Sequence, residues 1–370
     1  MSIETASEGT LSSGWNPEGQ PKALATQPQI GLHGFLTPQH EWGDVERGNP
    51  LPYTLPPEVR RRVGLERETW QLQITADPDS NSIVEAPFAI GFEQLLELGK
   101  QHGVRFLKGV TCNNLGEPLG MGLWEGVSLR VLIWMAKPVA NIRRVLYDGY
   151  HNDDPRQLFQ STLPIWRVLE EPPGEMPVMV AYKLNGEFIS GKRGGPVRMV
   201  VPEAYGFKNV KWLQRVLLSN QHGANDTYRL GNNDLDSPMK TFARFLTVPS
   251  PTAAHAPIQI RGIAQVGVSG LHSVEYSIRP KGAQGDKWRE GAEIEGPPPD
   301  ISEAGVRGLE SGWPVRWTIV HWVATLEAMP PGEYELRCRG IDRNGIAQPM
   351  PRPFAKGGRA EIQTMPLVLE

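Results

Sequence analysis

The sequence predicts an α+β protein, in which a mixed domain of helices and strands precedes an all-β, immunoglobulin-like sandwich. In residues 31–245, segments with helical spacing of apolar residues are interspersed with segments of strand character. In residues 246–370 the pattern is one of alternating strands separated by turns of Gly, Pro and Ser. Gly (40) and Pro (34) make up a fifth of the 370 residues without a repeat period, which favours many turns and irregular connections.

Composition divides the chain into three parts. Residues 1–30 are rich in Ser, Gly, Thr and Pro with little to bury, so we expect a flexible N-terminal segment. The stretch FLTVPSPTAAHAPIQIRG is rich in proline, lacks periodicity and is predicted to be a linker near residue 250. The expected domains are therefore residues 31–245 and residues 246–370.

Local patterns in the first domain predict its elements in order. The stretch WQLQITA alternates apolar and polar residues and is predicted to be a strand. FEQLLELGKQHG has helical spacing and ends at Gly103. VRFLKGVTC is predicted to be a second strand that leads Cys112 into a loop, and VSLRVLIWMA is predicted to be a helix.

Further strands are predicted on both sides of the linker. VMVAYKLNGEFI has two strand-like runs around Asn185-Gly186, the dipeptide most typical of a tight hairpin. The other predicted strands before the linker are IRRVLYDGY, PVRMVVPEAYG and VKWLQRVLLSN. Those after it are IQIRGIAQVG, SVEYSIRP, VRWTIVHWVATL and GEYELRCRGID. Cys338 alternates within the last of these and is interpreted as an ordinary strand residue.

Charge and cysteine usage exclude several classes of protein. The net charge of −3 gives no electrostatic reason to expect nucleic acid binding, and the longest basic run lies in PPEVRRRVGLERE, predicted to be a short solvated helix. Two cysteines without a Cys-x-x-Cys motif exclude a disulfide framework, a thiolate zinc site of usual spacing and a c-type haem. No apolar run approaches the roughly 20 residues of a membrane span. The polar N-terminus predicts a cytoplasmic chain, or a periplasmic one if an upstream export signal was removed.

Common catalytic motifs are not met. The glycines from Gly120 to Gly126 approximate G-x-G-x-x-G, but the last gap is one residue too long and no acidic residue is placed for a ribose. Neither a Walker phosphate loop nor a G-x-S-x-G elbow occurs. His151 begins HNDDP, which could bind a cation through Asp153 and Asp154, although a polar turn before Pro155 explains it as well and is favoured.

Cys112 is the remaining candidate for chemistry. Free cysteines are usually buried thiols, and a nucleophile paired with a distant histidine is also open. The following residues, Asn113, Asn114 and Glu117, do not form a core. A thiolate at the end of a strand in an amide-rich loop suits a soft metal ligand.

Three stretches resemble the sulfite oxidase family of molybdenum-cofactor enzymes. The first is TCNNLGEPLGMGLWEGVSLRVLI, which is similar to the family's cysteine loop. The second, VAYKLNGEFISGKRGGPVRMVVPEAYGFKNVKWLQRV, closely resembles the family's most specific motif. The third is GEYELRCRGIDRNGIAQP, which is similar to the end of its dimerisation domain. Together they span about four fifths of the chain, and the resemblance implies a sulfite-oxidase-type mixed cofactor domain and an immunoglobulin-like domain that mediates a homodimer.

The resemblance implies a molybdenum held by one pterin dithiolene and one protein thiolate, and Cys112 matches the thiolate. Tyr228 matches an active-site phenol that would hydrogen-bond or transfer protons. Trp124 matches a tryptophan of the pocket wall. Both aromatic residues could instead be ordinary packed side chains.

Further positions match residues that meet the cofactor. A dianionic pterin phosphate requires cations and N–H groups. Arg198 and Lys211 match such positions, Arg193 replaces a histidine, Thr162 matches a hydroxyl residue, and Asn114 is assigned to the same group. For the three basic residues, ordinary surface charges are the alternative.

The substrate pocket departs from the family. Members that oxidise sulfite usually carry Asn-Arg-Arg after the cysteine, whereas here Leu115 follows the two asparagines and Glu117 lies near. HEWGDVERGNPLPY is only loosely similar to another family stretch, and Arg47 is the candidate that would orient an anion.

The activity that the resemblance implies is oxygen-atom transfer to sulfite, a small anionic sulfur substrate. Because no haem module is expected in the chain, electrons would pass to an external acceptor such as a cytochrome, a quinone-linked partner or dioxygen. The alternatives are another sulfur compound or a sulfoxide with the same cofactor, an inactive scaffold of the same fold, or a cysteine hydrolase.

Overall fold

The structure is a computed structural model. It describes residues 34–370 apart from 46–47, 114, 116, 140, 155–157, 173, 230–233, 303–304, 350–357 and 359. The predicted flexible segment 1–30, Arg47 and Asn114 consequently lie outside the described residues. No helix in the described part of the chain is both long and apolar enough to cross a membrane.

Within its described residues, the N-terminal part contains two sheets and four α-helices of short to medium length. Its strands are β1 (Gln71–Ala76), β2 (Phe88–Gly91), β3 (Gly103–Thr111), β4 (Pro118–Ser128), β5 (Arg144–Gly149), β6 (Phe159–Pro164), β7 (Met179–Leu184), β8 (Glu187–Phe188), β9 (Arg198–Val200) and β10 (Leu213–Ser219). Its helices are α1 (Pro57–Arg62), α2 (Phe92–His102), α3 (Leu129–Met135) and α4 (Ile165–Leu169).

The first sheet has the strand order β2-β1-β10-β5-β6, in which β1 and β10 are parallel and the other pairs antiparallel. The second sheet is antiparallel, with the order β3-β4-β7-β8 and with β9 also paired to β7. Alternation in β1 buries Leu72 and Ile74 completely, as the sequence pattern predicts. The apolar faces of α2 and α3 pack into the same core.

Several local predictions are confirmed in this part. Helix α2 ends at His102 with Gly103 as its C-cap, and α1 carries the basic run at the surface. Asn185 and Gly186 have φ angles of 56° and 82° and join β7 to β8. Positive φ at both central residues is what a type I′ hairpin turn requires, and Asn-Gly meets that requirement at low cost.

The glycine-rich stretch after Cys112 differs from the prediction of a loop. Strand β4 begins at Pro118, and the described residues between β3 and β4 are Cys112, Asn113, Leu115 and Glu117, which we call the cysteine loop. A Cβ at Gly120 would lie 2.3 Å from the ring of Trp42, and one at Gly122 would lie 2.4 Å from Leu184. These glycines therefore allow close packing of a buried strand.

The C-terminal part is almost entirely β structure. Its strands are β11 (Phe242–Thr247), β12 (Ile258–Gln265), β13 (Ser273–Pro280), β14 (Glu293–Ile294), β15 (Ile319–Leu326), β16 (Gly332–Ile341) and β17 (Gln363–Leu369), with a short helix α5 (Pro299–Ser302). Two antiparallel sheets, β11-β12-β15-β14 and β13-β16-β17, bury a common core that includes Trp322 and Cys338. Cys338 is a buried strand residue, as predicted. Strand β11 pairs with β12, so this two-sheet unit begins before the predicted linker.

The C-terminal unit packs directly against strand β3. The backbone N–H of Gly109 donates to the carbonyl oxygen of Trp317 at 2.8 Å, and a Cβ at Gly109 would lie 2.4 Å from the side chain of Ile319. Lys108, also on β3, is completely buried and donates to the carbonyl oxygens of Gly109 and Ala204 at 3.1 and 3.0 Å. Burial lowers the pKa of Lys108 to about 7.

Candidate active site

One cavity brings together the residues that the sequence analysis assigned to separate stretches. Cys112, Arg193, Arg198, Lys211 and Tyr228 all line it. Cys112 lies at the end of β3, and Arg193 lies in the segment before β9. Arg198 is on β9 itself, Lys211 precedes β10 and Tyr228 follows β10. The structure thus brings together in one site side chains that lie up to more than 100 residues apart in the sequence.

Cys112 lies where β3 ends and the cysteine loop begins. Thr111, the last residue of β3, is buried, whereas Cys112 is partly exposed to the cavity. The carbonyl oxygen of Cys112 accepts a hydrogen bond from the backbone N–H of Leu115 at 3.2 Å, which turns the chain back toward β4. Asn113 also lines the cavity and is only 6% exposed.

The cations of the cavity share a single carboxylate. Asp44 accepts from Nη2 of Arg193 at 3.0 Å and from Nζ of Lys211 at 2.6 Å. Arg198 donates to the carbonyl oxygens of Asn209 and Arg193, both at 3.0 Å. Among the described residues that line the cavity, Asp44 is the sole carboxylate, so three cations face one anion.

Burial of these charges shifts their proton affinities. Burial lowers the pKa of Arg198 to about 10 and that of Lys211 to about 8, and the neighbouring arginines push in the same direction. Burial alone would raise the pKa of Asp44, but Lys211 and Arg193 outweigh it and the net shift is downward. Near neutral pH the cluster therefore carries excess positive charge in a partly desolvated cavity, which favours an anionic ligand with two charges, such as a phosphate.

Glycines make this cluster possible. Gly194 has φ +97°, and a Cβ there would lie 2.6 Å from the side chain of Lys211. A Cβ at Gly195 would lie 1.9 Å from the carbonyl oxygen of Ile189. At this glycine pair the backbone thus approaches neighbouring groups closely, and this brings Arg193 next to Lys211.

A buried ion pair anchors the segment that carries Tyr228. Asp226 accepts from Nζ of Lys208 and from Oγ of Ser161, both at 2.6 Å, and from the hydroxyl of Thr162 at 2.7 Å. The side chains of Lys208 and Asp226 are 3% and 1% exposed. Two residues beyond Asp226, Tyr228 lines the cavity.

Aromatic side chains surround Tyr228. Its ring lies 5.5 Å from that of Phe159 and 6.1 Å from that of Phe207, both in edge-on arrangements. The phenol is therefore held at the cavity wall by its own chain segment and by ring packing.

Two predicted site residues lie behind the cavity wall. Thr162 is completely buried on β6 and serves the Asp226 network. Trp124 is completely buried on β4, where its indole N–H donates to the carbonyl oxygen of Lys108 at 3.1 Å. Its ring packs edge-on against Trp42 at 5.6 Å, and it is Trp42 that lines the cavity. The structure thus places Trp42 where the sequence analysis expected Trp124.

The sequence analysis did not identify Asp44 and Trp42 as site residues, and it did not place His151 in the cavity. Asp44 and Trp42 lie in the stretch with only loose family similarity, so no motif pointed to them. His151 lines the cavity, and its ring lies 5.7 Å from Phe159 and 5.8 Å from Trp212. The favoured interpretation of HNDDP as a turn agrees with the backbone N–H of Asp154, which donates to Oδ1 of Asn152 at 2.9 Å. Within the described residues, no group of three or more His, Cys, Asp or Glu side chains is arranged to hold a metal ion.

Comparison with known proteins adds the family. Residues 59–227 match the model of the oxidoreductase molybdopterin binding domain. A nitrate reductase [NADPH] of Neurospora crassa is 26% identical over 211 residues, which are 50% of this chain and 20% of that protein. The mitochondrial sulfite oxidase of Drosophila melanogaster is 27% identical over 234 residues, which are 59% of this chain and 39% of that protein. The chain thus matches well under half the length of these relatives.

The fold is similar to that of a solved structure over nearly the whole chain. The sulfane dehydrogenase SoxCD from Paracoccus pantotrophus superposes with a TM-score of 0.69, covering 98% of this chain and 86% of that chain at 19% identity. The matched range includes Cys112, Arg193, Arg198 and Lys211, which all line the cavity described above. From the domain model and these relatives, we conclude that residues 59–227 form a molybdopterin-binding domain of the oxidoreductase family.

Proposed function

We propose that this chain is a molybdenum-cofactor enzyme that oxidises sulfite to sulfate and passes two electrons to an external acceptor. The observation that carries the proposal is the cavity, where the thiol of Cys112 shares a partly desolvated space with Arg193, Arg198 and Lys211. Sulfite and water become sulfate, two protons and two electrons, so the site must accept an anion and release protons.

The side chains fit a cofactor that has a single pterin dithiolene. A soft thiolate suits molybdenum, and the three cations suit the dianionic phosphate of the pterin. Cys112 would bind the metal, while Arg193, Arg198 and Lys211 would bind the phosphate. When bound, the cofactor supplies two-electron redox chemistry and the transfer of an oxygen atom.

The protein's own contribution is orientation and proton handling. Tyr228 presents a phenol to the cavity and would hydrogen-bond the substrate oxygen or carry a proton. Phe159 and Phe207 pack around it and limit the positions that its ring can take. Arg47, which lies outside the described residues, is proposed as the cation that orients the substrate.

A second candidate is the same cofactor acting on another sulfur compound or reducing a sulfoxide. Leu115 follows the two asparagines where sulfite-oxidising members usually have arginine, and Glu117 lies near, so one cation expected for a small dianion is missing from this stretch. The similarity to a sulfane dehydrogenase and to nitrate reductases supports testing substrates of both kinds and both reaction directions.

The C-terminal two-sheet unit is proposed to be an immunoglobulin-like sandwich through which two copies associate. The proposed domains are residues 31–245 and 246–370, and the pairing of β11 (Phe242–Thr247) with β12 moves the boundary between them to just before Phe242. The acceptor would be a cytochrome, a quinone-linked protein or dioxygen, and the chain would act in the cytoplasm or, if exported, in the periplasm. Light scattering of the purified chain tests the dimer.

Steady-state assays of chain loaded with cofactor distinguish the candidates. We expect sulfite-dependent reduction of an artificial acceptor, and Tyr228→Phe should lower kcat by about 100-fold because a positioned proton donor is lost. Tyr334→Phe is the matched control, since that hydroxyl lies in the C-terminal unit and donates to Pro330. Negligible sulfite turnover by fully loaded enzyme would contradict the leading candidate, and turnover of methionine sulfoxide would then support the second.

A chain without metal and pterin after expression in a competent host would favour an inactive scaffold. Alkylation distinguishes the hydrolase alternative, because a metal-bound Cys112 thiolate should resist alkylation until the cofactor is removed.

A further inference from the structure

Two side-chain contacts attach the cysteine loop to the C-terminal unit, one at each end of the loop. The hydroxyl of Thr111 donates to Oε1 of Gln265 on β12 at 2.5 Å. At the other end, Nη1 of Arg244 on β11 donates to Oε1 of Glu117 at 2.9 Å. Thr111 directly precedes Cys112, and Glu117 directly precedes β4.

The first contact is completely enclosed. Thr111 is 1% exposed and Gln265 is 0% exposed. The amide Nε2 of Gln265 donates to the carbonyl oxygen of Lys240 at 2.7 Å, which fixes the amide so that its oxygen faces Thr111. Because a buried polar group without a partner is costly, this arrangement strongly prefers one position of Thr111.

The second contact also governs charge near the cavity. Arg244 is largely buried, with its guanidinium 5.5 Å from the centre of the Phe242 ring, whereas Glu117 is half exposed. The pair holds the Glu117 carboxylate against β11 and neutralises its negative charge.

The backbone adds a third attachment upstream. Strand β3 is at the edge of its sheet, and on that open side the N–H of Gly109 donates to Trp317 of the C-terminal unit at 2.8 Å. The direction in which β3 presents Cys112 to the cavity is thus fixed by a structural unit that contributes none of the cavity's cations.

We propose that the C-terminal unit is a positioning element of the site, in which Gln265 and Arg244 hold the cysteine loop and thereby the thiol of Cys112. Loss of either contact frees the loop without unfolding the chain. The consequence for cofactor retention rests on the function proposed above, whereas the effect on the thiol does not.

The chain contains its own reference for the test, because the second cysteine, Cys338, lies in the core of the C-terminal unit. Its thiol is fully buried and burial raises its pKa, so it reacts only when that unit unfolds. Iodoacetamide labelling of cofactor-free, full-length chain, followed by peptide mass spectrometry, gives the rate at Cys112 relative to that at Cys338.

Matched variants separate positioning from general loss of stability. Gln265→Leu and Arg244→Met remove the two contacts, and Gln259→Leu and Arg261→Met change the same residue types at exposed positions of β12. Thr111→Val removes the hydroxyl, and Thr111→Ser keeps it.

We expect the relative labelling of Cys112 to rise about fivefold in Gln265→Leu, Arg244→Met and Thr111→Val, as the loss of one net hydrogen bond allows. Gln259→Leu, Arg261→Met and Thr111→Ser should match the wild type. If Gln265→Leu does not fold, Arg244→Met and the Thr111 pair decide.

Unchanged relative labelling in the contact-removing variants would overturn the proposal. A parallel rise at Cys338 would overturn it as well, since that would report global unfolding. Absence of molybdenum from the wild-type chain would contradict the proposed function but would leave the labelling result valid, so the two failures are distinguishable.

Discussion

Replacing Asp226 with asparagine tests how the segment that carries Tyr228 is held. Asp226 neutralises Nζ of Lys208 at 2.6 Å, and both side chains are almost completely buried. Asp226→Asn leaves an ammonium without a counter-charge in the core. Breaking a buried pair by removing one partner costs about 3–5 kcal/mol, so the variant should lose that much of the free energy of unfolding.

The double variant gives the decisive comparison. Lys208→Met combined with Asp226→Asn removes both charges, and we expect it to recover most of the lost stability, because a buried pair contributes little relative to apolar replacements. Urea unfolding monitored by tryptophan fluorescence measures all four members of the cycle. Glu333→Gln, which removes a partner from the exposed Lys281–Glu333 pair, should leave the unfolding midpoint unchanged.

The same variants report on the site. Once Asp226 no longer anchors its segment, Tyr228 should be misplaced. Under conditions where Asp226→Asn is still folded, kcat should therefore fall by a larger factor than the factor by which KM changes. A loss below about 1 kcal/mol in Asp226→Asn, or a double variant no more stable than that single one, would refute this account of the buried network.

Three further outcomes are expected. Since burial lowers the pKa of Lys211 to about 8, the affinity of cofactor-free chain for inorganic phosphate should fall as the pH rises through that value. Calorimetry of Lys211→Met should show a much flatter dependence of this affinity on pH. If the pH dependence of the variant equals that of the wild type, the role of Lys211 is contradicted. The pKa of Lys108 is about 7 in the folded chain and 10.5 for an ordinary lysine. Between pH 7 and pH 10.5 the unfolded chain therefore binds one more proton than the folded chain. Over this range the free energy of unfolding should rise by about 1.4 kcal/mol per pH unit. Lys108→Met should lack that gain in chemical denaturation, and identical slopes would count against the shift. Cys112→Ser should fold and lose activity and molybdenum, with Cys338→Ala as a metal-retaining control; full activity in Cys112→Ser would exclude the ligand role.

Local patterns predicted the elements best where sequence period and turn chemistry agree. The hairpin at Asn185-Gly186, helix α2 and its end at Gly103, and the alternating strands of the C-terminal unit are examples. The sequence predicts no strand at β4, because the glycines of that stretch interrupt the apolar alternation. Gly120 and Gly122 are explained by the close approach of Trp42 and Leu184 from elsewhere in the chain. Such contacts cannot be read from a local window.

The residues of the site likewise fall into those that the sequence indicates and those that only the tertiary fold explains. Motif similarity indicated Cys112, Arg193, Arg198 and Lys211, and the structure brings them to one cavity. Asp44, which compensates two of these cations, lies 149 residues before Arg193 in the chain, and no local pattern links them. Its position beside these cations results from tertiary folding. Tertiary folding also places Trp42, rather than Trp124, at the cavity wall.

The central claim is that this cavity holds a molybdenum cofactor through Cys112 and the cation cluster. Elemental analysis and a pterin assay of full-length chain, purified from a host that makes the cofactor, test it most directly. We predict about one molybdenum and one pterin per chain, as a single thiolate ligand and a single phosphate cluster require. Folded chain without molybdenum or pterin, from a host that loads a control molybdoenzyme, would contradict the claim.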